Sequence, residues 1–260
     1  MVRAAMMVAV LGWASCGGAG TAGDADDGGS ENTETMEVVN ANPWRHVDGY
    51  VAERIAEFDQ IGAERRVELE AIAAYVGERH AHGLLARLTF VCTHNSRRSQ
   101  LAQVWSEAAV HYYGVDSVLI FSGGTERTSF NQRAIGALRR AGMEIRPARL
   151  SDNPRYRIQF AGDAEPMISW SKLIDDPKNP EVSFAAVMTC AEAETDCPVV
   201  QGAERRFGLA YDDPKISDGT DGEVKRYDVR CAQIAREMFY VMSQVVAETN
   251  VVAESGNETK

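Results

Sequence analysis

Basic residues are scarce in this chain of 260 residues. It has 27 Lys and Arg against 38 Asp and Glu, which leaves a formal net charge of −11. A strongly acidic surface does not neutralise the phosphates of nucleic acid or the headgroups of an anionic membrane. The composition therefore argues against nucleic acid as a partner. Contact with a membrane is expected only through an N-terminal anchor. A small anion is still allowed, because a few backbone N–H groups and one arginine suffice to bind it.

Long apolar runs are also lacking after Ser15, so no later segment is predicted to span a bilayer. The first 16 residues differ, because Arg3 precedes an apolar stretch through Trp13 and small residues lead to Cys16. This pattern is typical of a secretory signal, and its end resembles a bacterial lipoprotein signal. We expect residues 1–16 to export the protein and to tether it to a membrane through Cys16. The alternative is a misassigned start codon and a cytoplasmic enzyme.

Residues 17–42 lack lysine, arginine and aromatic side chains and contain six acids. Such a segment cannot bury enough surface to order itself, so it is predicted to be a flexible tether. A flexible tail is expected at residues 251–260. The roughly 210 residues between them are enough for one domain with its own core.

Cysteine occurs only five times, and one of the five lies in the most informative stretch. Residues 88–91 are an apolar run typical of a buried strand, Cys92 follows it, and an apolar pattern at helical spacing begins near Arg98 and Ser99. A loop of backbone N–H groups that closes onto a helix N-terminus forms a positive concavity for a tetrahedral oxyanion. The Arg98 guanidinium can add two parallel hydrogen bonds to that anion.

The same positive field, with a hydroxyl donor from Ser99, favours the thiolate form of Cys92. Cys92 is therefore the candidate nucleophile. The alternative is a buried structural cysteine beside an unrelated basic pair. A strand, a cysteine, five residues, Arg-Ser and a helix in this order favour catalysis.

The rest of the pattern predicts an α/β fold of three layers, α/β/α, around a parallel four-stranded sheet. Two helices between residues 43 and 84 form an N-terminal extension, and the catalytic domain spans residues 85–250. Its predicted strands cover 85–91, 117–121, 184–188 and, more weakly, 207–210; its predicted helices cover 98–113, 131–141 and 227–246. Apolar strands separated by helices indicate a parallel sheet covered by helices. Ligands bind beyond the carboxyl ends of such strands, where Cys92 lies.

The sequence predicts two further features of the fold. Residues 156–170 predict a small inserted hairpin, and Trp170 and Lys172 near its end are candidates for substrate contact. The spacing of Trp105, Ala108 and Tyr112 predicts the core face of the first domain helix.

The loop from Cys92 to Ser99 resembles the Cys-x5-Arg-Ser loop of the low-molecular-weight protein tyrosine phosphatase superfamily, which includes the thioredoxin-coupled arsenate reductases. The resemblance runs from about Ala86 to Val246 and includes Ser122-Gly-Gly-Thr-Glu126, a turn or a close backbone approach. It implies that the loop binds the substrate, and that Asn95 stabilises a left-handed backbone there. The implied substrate-binding residues are Thr93, His94, Asn95, Ser96, Arg97 and Ser99.

Two more cysteines, Cys190 and Cys197, follow a strand predicted to lie beside that of Cys92, and six residues separate them. They resemble the redox pair of the arsenate reductases. The resemblance implies that Cys190 displaces arsenite from a Cys92 adduct and that Cys197 moves the disulfide outward. It implies no cofactor beyond an external thiol reductant such as thioredoxin. A permanent disulfide is the alternative for an exported protein. A zinc site ranks last, because no nearby Cys or His completes four ligands.

Asp213, which precedes Pro214, matches the general acid of the superfamily, which protonates the leaving group. The alternative is an ordinary acidic turn. Lys215 follows where tyrosine phosphatases often carry aromatic residues. We therefore expect an arsenate reductase-like enzyme; the alternative is a phosphatase that forms a cysteinyl phosphate on Cys92. A non-catalytic oxyanion-binding module is a remote third possibility, because binding alone needs neither a nucleophile nor an acid.

Overall fold

The structure is a computed structural model that describes residues 45–192 and 199–257, without the side chains of residues 45, 46 and 248–257. The predicted signal peptide (1–16), the predicted tether (17–42) and Cys197 lie outside the described residues. Within the part that is described, no helix is long and apolar enough to cross a membrane.

A parallel sheet of four strands forms the centre of the domain, as predicted. Its strands are β1 (Ala86–Cys92), β2 (Val118–Gly124), β6 (Phe184–Met188) and β7 (Ala203–Gly208). They are ordered β2-β1-β6-β7, and every neighbouring pair is parallel. The edge strand β7 begins earlier than the predicted 207–210. Its first four residues, which include Arg205 and Arg206, have no apolar run from which a strand could be predicted.

In the described part of the chain, five α-helices with defined bounds flank the sheet. They are α1 (Arg45–Ala56), α2 (Ala63–Ala81), α3 (Arg98–Tyr113), α4 (Gln132–Arg140) and α5 (Glu223–Asn257). Short 3-10 turns cover Phe58–Gln60 and Pro214–Ser217. Helix α5 is longer than predicted at both ends. Residues 251–257, which we expected in a flexible tail, are helical. No proline interrupts the helix between Glu223 and Asn257.

The main core lies between the helices and one face of the sheet, and a smaller apolar cluster lies on the other face. The N-terminal extension is part of the main core, since Val51, Leu69 and Ile72 are buried in it. An ion pair of 2.9 Å joins Arg65 on α2 to the buried Glu237 on α5. The extension is thus packed on the domain by apolar contacts and by a charge pair.

The predicted hairpin is present and has a third strand. Strands β4 (Tyr156–Gln159) and β5 (Met167–Ser169) pair in antiparallel fashion, and β3 (Glu144–Pro147) pairs with β4. The sequence did not predict β3, because four residues that include a proline give no clear alternation. This small three-stranded sheet ends at Ser169, next to the residues that approach the Cys92 loop.

Glu107 on α3 offers a test of the packing around that helix. Burial raises the pKa of its carboxyl to about 7, against an ordinary value of 4.5. Between pH 4.5 and about pH 7, the folded protein therefore keeps a proton on Glu107 that the unfolded chain has released. Above pH 7 the buried carboxyl is ionised, and the folded state bears the full free-energy cost of burying its charge. We expect Glu107→Gln to raise the free energy of unfolding by about 1–3 kcal/mol at pH 8 and to leave it unchanged at pH 4.

Urea unfolding at pH 4, 6 and 8 measures this difference. The exposed Glu165 supplies the matched control, Glu165→Gln. An effect of Glu107→Gln that is equal at pH 4 and pH 8 would contradict the prediction.

Candidate active site

Cys92 is the last residue of β1, and it is 4% exposed. Strand β1 lies between β2 and β6, so the carboxyl ends of three parallel strands meet around the sulfur. The polypeptide then turns through residues 93–97 and enters α3 at Arg98. The predicted order of strand, loop and helix is confirmed, and the loop lies where parallel sheets bind their ligands.

The hydroxyl of Ser99 contacts the Cys92 sulfur, with Oγ and Sγ 3.0 Å apart. Asn95 Nδ2 donates to the same hydroxyl oxygen at 2.9 Å. The backbone N–H of Lys172 donates to Asn95 Oδ1 at 2.9 Å, which orients the amide with Nδ2 toward Ser99. When Cys92 is a thiolate, which can only accept, the Ser99 hydroxyl donates to the sulfur while its oxygen accepts from Asn95. A donor at this position stabilises a thiolate.

The loop has a strained backbone that its sequence accommodates. Asn95 has φ of 43°, in the left-handed region that asparagine tolerates better than most residues. Gly124, at the end of β2, lies against the loop so closely that an added Cβ would be 2.7 Å from three backbone atoms, which include Asn95 N and Thr93 O. The predicted close approach of a glycine backbone is therefore real, and it is made to the nucleophile loop itself.

Arg98 and Asp213 are brought together although 115 positions separate them. Arg98 is 7% exposed; its Nη2 donates to Asp213 Oδ2 at 3.0 Å and its Nη1 to the Tyr211 carbonyl at 3.0 Å. Asp213 also accepts from the backbone N–H of Lys215 and so caps a 3-10 turn. The candidate acid thus lies beside the candidate anion-binding guanidinium.

An open cavity of about 650 Å³ lies next to this pair. The described residues that line it are Arg98, Ala191, Glu192, Asp212, Asp213, Lys215, Ile216 and Arg226. Glu192 Oε2 is 3.6 Å from Arg98 Nη1. The wall near Asp213 carries Lys215 and Ile216, and none of the described lining residues is aromatic.

Trp170 and Lys172 differ from the expectation of substrate contact. Among the described residues, neither lines this cavity. Lys172 is 3% exposed, its Nζ lies 4.9 Å from the centre of the Trp170 ring, and burial lowers its pKa to about 8. Instead, the backbone groups of both residues hold the loop, because the Trp170 carbonyl accepts from Gln100 and the Lys172 N–H donates to Asn95.

The other loop side chains predicted to bind substrate have protein partners. Ser96 Oγ donates to the Ser129 carbonyl at 2.6 Å, and Arg97 Nε donates to the Tyr227 hydroxyl at 3.2 Å. The exposed imidazole of His94 lies 3.3 Å from a Glu126 carboxylate oxygen. These residues can serve an anion through their backbone N–H groups, while their side chains stabilise the loop.

Cys190 follows β6, the strand that pairs with β1, as predicted. It is fully buried and belongs to the same small apolar cluster as Cys92. Its sulfur is 3.8 Å from Thr93 Oγ1, one residue after the nucleophile. Cys231 is separate from this site; it accepts from Trp105 Nε1 at 3.3 Å, and burial raises the pKa of its thiol to about 11. Cys231 is therefore a core residue.

Sequence reasoning missed three residues of this region: Gln100, Ser169 and Glu192. Gln100 had a signal, since it immediately follows the Arg-Ser pair, but its partners Ser169 and Trp170 lie 69 and 70 positions away. Across residues 45–192 and 199–257, no group of three or more His, Cys, Asp or Glu side chains is placed to hold a metal ion.

Comparisons with known proteins give sequence relatives and similar solved structures. No family model matches the chain. An arsenate reductase of Bacillus licheniformis is 28% identical over 137 residues, which are 52% of this chain and 78% of that protein. Arsenate reductase 2 of Staphylococcus epidermidis is 26% identical over 143 residues, which are 55% and 89% of the two chains. A low-molecular-weight phosphotyrosine phosphatase structure from Vibrio cholerae O395 is 13% identical with a TM-score of 0.43, and covers 63% of this chain and 98% of its own.

The parallel sheet, the Cys-x5-Arg-Ser loop and the helix after it resemble those expected for the low-molecular-weight protein tyrosine phosphatase superfamily, a class of cysteine-dependent enzymes that act on oxyanions. The two sequence relatives, each similar to this chain over about half of its length, are arsenate reductases by name.

Proposed function

We propose that this protein is an arsenate reductase-like enzyme with Cys92 as nucleophile and Cys190 and Cys197 as its redox relay. The observation that carries the proposal is the placement of Cys92 and Cys190 at the ends of neighbouring strands, buried in one cluster. The sequence relatives, which are arsenate reductases by name, support it.

The first step is attack of the Cys92 thiolate on arsenate held by Arg98 and the backbone N–H groups of the loop. Hydrogen bonds from a preorganised guanidinium stabilise the charge that develops on the oxygens. Asp213 protonates the hydroxyl that leaves as water. The product of this step is an adduct with a bond between Cys92 Sγ and arsenic(V).

The second step transfers electrons to arsenic. The Cys190 thiolate attacks Cys92 Sγ; an S–S bond forms as the S–As bond breaks, and the electron pair of that bond goes to arsenic, which leaves as arsenite. Cys197 then attacks Cys190 and releases Cys92 as a thiolate. An external dithiol, such as thioredoxin, reduces the Cys190–Cys197 disulfide. Cys197 lies outside the described residues, so its part rests on the resemblance.

The alternative is phosphomonoester hydrolysis, for which Asp213 is also suitably placed. Its carboxyl group lines the cavity beside the Arg98 guanidinium and, when protonated, can give its proton to an alkoxide or phenoxide. Water would then hydrolyse a cysteinyl phosphate on Cys92, with Asp213 as the base. This reaction needs neither Cys190 nor Cys197.

Cys190→Ser separates the two reactions. If the protein is an arsenate reductase, turnover of arsenate with a thioredoxin system is lost in this variant, because no thiol displaces arsenite. If it is a phosphatase, hydrolysis of an aryl phosphate continues at close to the wild-type rate. Both rates are measured on the same preparations of purified protein.

Cys231→Ser is the matched control, since it replaces an equally buried cysteine outside the site. It should retain whichever activity the wild type has. Wild-type protein that is silent in both assays, yet folded and able to bind phosphate, would contradict the enzyme and favour an oxyanion-binding module.

Export through residues 1–16 and anchoring at Cys16 stay proposals from the sequence. They are supported by the apolar run before Cys16 and by residues 17–42, which contain acidic and uncharged side chains but no lysine or arginine. The nature of the reductant is linked to location, because an oxidising compartment favours a standing disulfide over a relay.

A further inference from the structure

A continuous path of hydrogen bonds leads from the small three-stranded sheet to the nucleophile. Ser169, at the end of β5, donates from Oγ to Gln100 Oε1 at 2.5 Å. Gln100 Nε2 donates to Asn95 Oδ1 at 3.0 Å and to the Asn95 carbonyl at 3.1 Å. From Asn95 the path continues to Ser99 and then to the Cys92 sulfur.

Every link of this path is shielded from water. Ser169, Gln100, Asn95 and Ser99 are each 0% exposed. Removing one partner of a buried hydrogen bond strongly destabilises the arrangement, because the group that remains is still shielded from water and has lost its partner. Loss of the Ser169 hydroxyl should therefore disturb the other hydrogen bonds of the path more than the loss of an exposed hydroxyl would.

The direction of each bond is set by backbone groups of the inserted segment. The Trp170 carbonyl accepts from Gln100 Nε2 at 2.8 Å, so the amide nitrogen of Gln100 must face that side and its oxygen must face Ser169. The Lys172 N–H orients Asn95 in the same way. With both amides oriented, the Ser99 oxygen accepts from Asn95, and its hydroxyl hydrogen is available to a Cys92 thiolate.

We propose that Ser169 and Gln100 are positioning residues, through which the inserted sheet controls the reactivity of Cys92. They touch neither the cavity nor the reacting sulfur. They hold the Asn95 amide in the orientation that makes Ser99 a donor to the thiolate. This inference rests on the proposed function of Cys92 as nucleophile, and it assigns a catalytic consequence to a sheet that is otherwise only a packing element.

The test is the pH dependence of Cys92 alkylation by iodoacetamide. Trypsin releases residues 88–97 as a peptide whose single cysteine is Cys92, so mass spectrometry measures this thiol alone. In Ser169→Ala, we expect the pH of half-maximal alkylation to rise by about half to one unit, which slows alkylation about 3- to 10-fold at lower pH. Ser169→Thr keeps the hydroxyl and should restore the wild-type profile.

Ser122→Ala is the matched control. Ser122 is equally buried, and its hydroxyl donates to Gln103 Oε1 at 2.5 Å, an oxygen that the Ser169 hydroxyl reaches only at 3.5 Å. The proposal requires Ser122→Ala to leave the profile unchanged. An equal shift in Ser122→Ala and Ser169→Ala, or no shift in Ser169→Ala, would overturn it.

A second variant covers loss of folding. Gln100→Met keeps the length of the side chain and removes its hydrogen bonds, and we expect it to shift the profile at least as far as Ser169→Ala. The result of either Ser169→Ala or Gln100→Met decides the test, provided that the circular dichroism of that variant matches the wild type. An unshifted Gln100→Met that is folded would also overturn the proposal.

The wild-type profile separates this proposal from the proposed function. A half-point near pH 8.5, where an ordinary thiol titrates, would contradict Cys92 as the nucleophile. A low wild-type half-point that neither variant moves would contradict only the positioning role.

Discussion

Cys92→Ser is expected to lower turnover by about 10⁴-fold or more, whichever of the two reactions the wild type performs. A serine hydroxyl is nearly the same size but does not become an anion in the field that stabilises a thiolate. Arg98 and the loop backbone are untouched, so the variant should still bind phosphate with an affinity within a few-fold of the wild type. Steady-state turnover and calorimetric phosphate binding measure the two quantities.

The contrast with Cys231→Ser gives this prediction its specificity. Both substitutions exchange sulfur for oxygen at a buried cysteine, but Cys231 contacts Trp105 in the core. Cys231→Ser should therefore cost stability and leave turnover intact. Residual turnover of Cys92→Ser above one hundredth of the wild-type rate would show that another group is the nucleophile.

Gly124→Ala is expected to abolish both turnover and phosphate binding. The new Cβ would lie 2.7 Å from Asn95 N, Thr93 O and Glu126 O, all of them backbone atoms. Backbone atoms cannot rotate away as a side chain can, so β2 and the loop must separate. The loop then loses the alignment of its N–H groups, and overpacking of this kind costs about 1–3 kcal/mol of folding stability.

Gly49→Ala is the control for this substitution. Gly49 lies inside α1, and an added Cβ there meets nothing within 4 Å. Alanine in a helix interior is favoured over glycine by about 0.5–1 kcal/mol, so urea unfolding should show opposite signs for the two variants. A folded Gly124→Ala that binds phosphate normally would contradict the close packing of β2 against the loop.

Local pattern explains which elements could be predicted. The strand before Cys92 and the helix after Arg98 each have an apolar pattern of their own, and both were placed within a residue or two. Strand β3 has no such pattern, since it is short, contains Pro147 and depends on β4 for its pairing. Tyr112 was assigned to the core from helical spacing but is 57% exposed, because spacing identifies a face of a helix and not where the neighbouring element ends.

The candidate site divides in the same way. Cys92, Arg98 and Ser99 are close in sequence, so their loop was predicted from its motif. Lys172 and Trp170 were expected at the substrate, whereas their backbone groups bind the loop and their side chains lie against each other. A residue's order in the chain indicates that it comes near the loop, but not which of its atoms makes the contact.

By itself, the sequence determined the chemistry of this protein: a cysteine, an arginine and a helix N-terminus within eight residues, since that geometry needs only one loop. The tertiary structure alone decided the contacts that tune it. The Arg98–Asp213 pair spans 115 positions and the Gln100–Ser169 bond spans 69. Hydrogen bonds of that range depend on how strands and helices pack, and packing is a property of the whole chain that no local pattern contains.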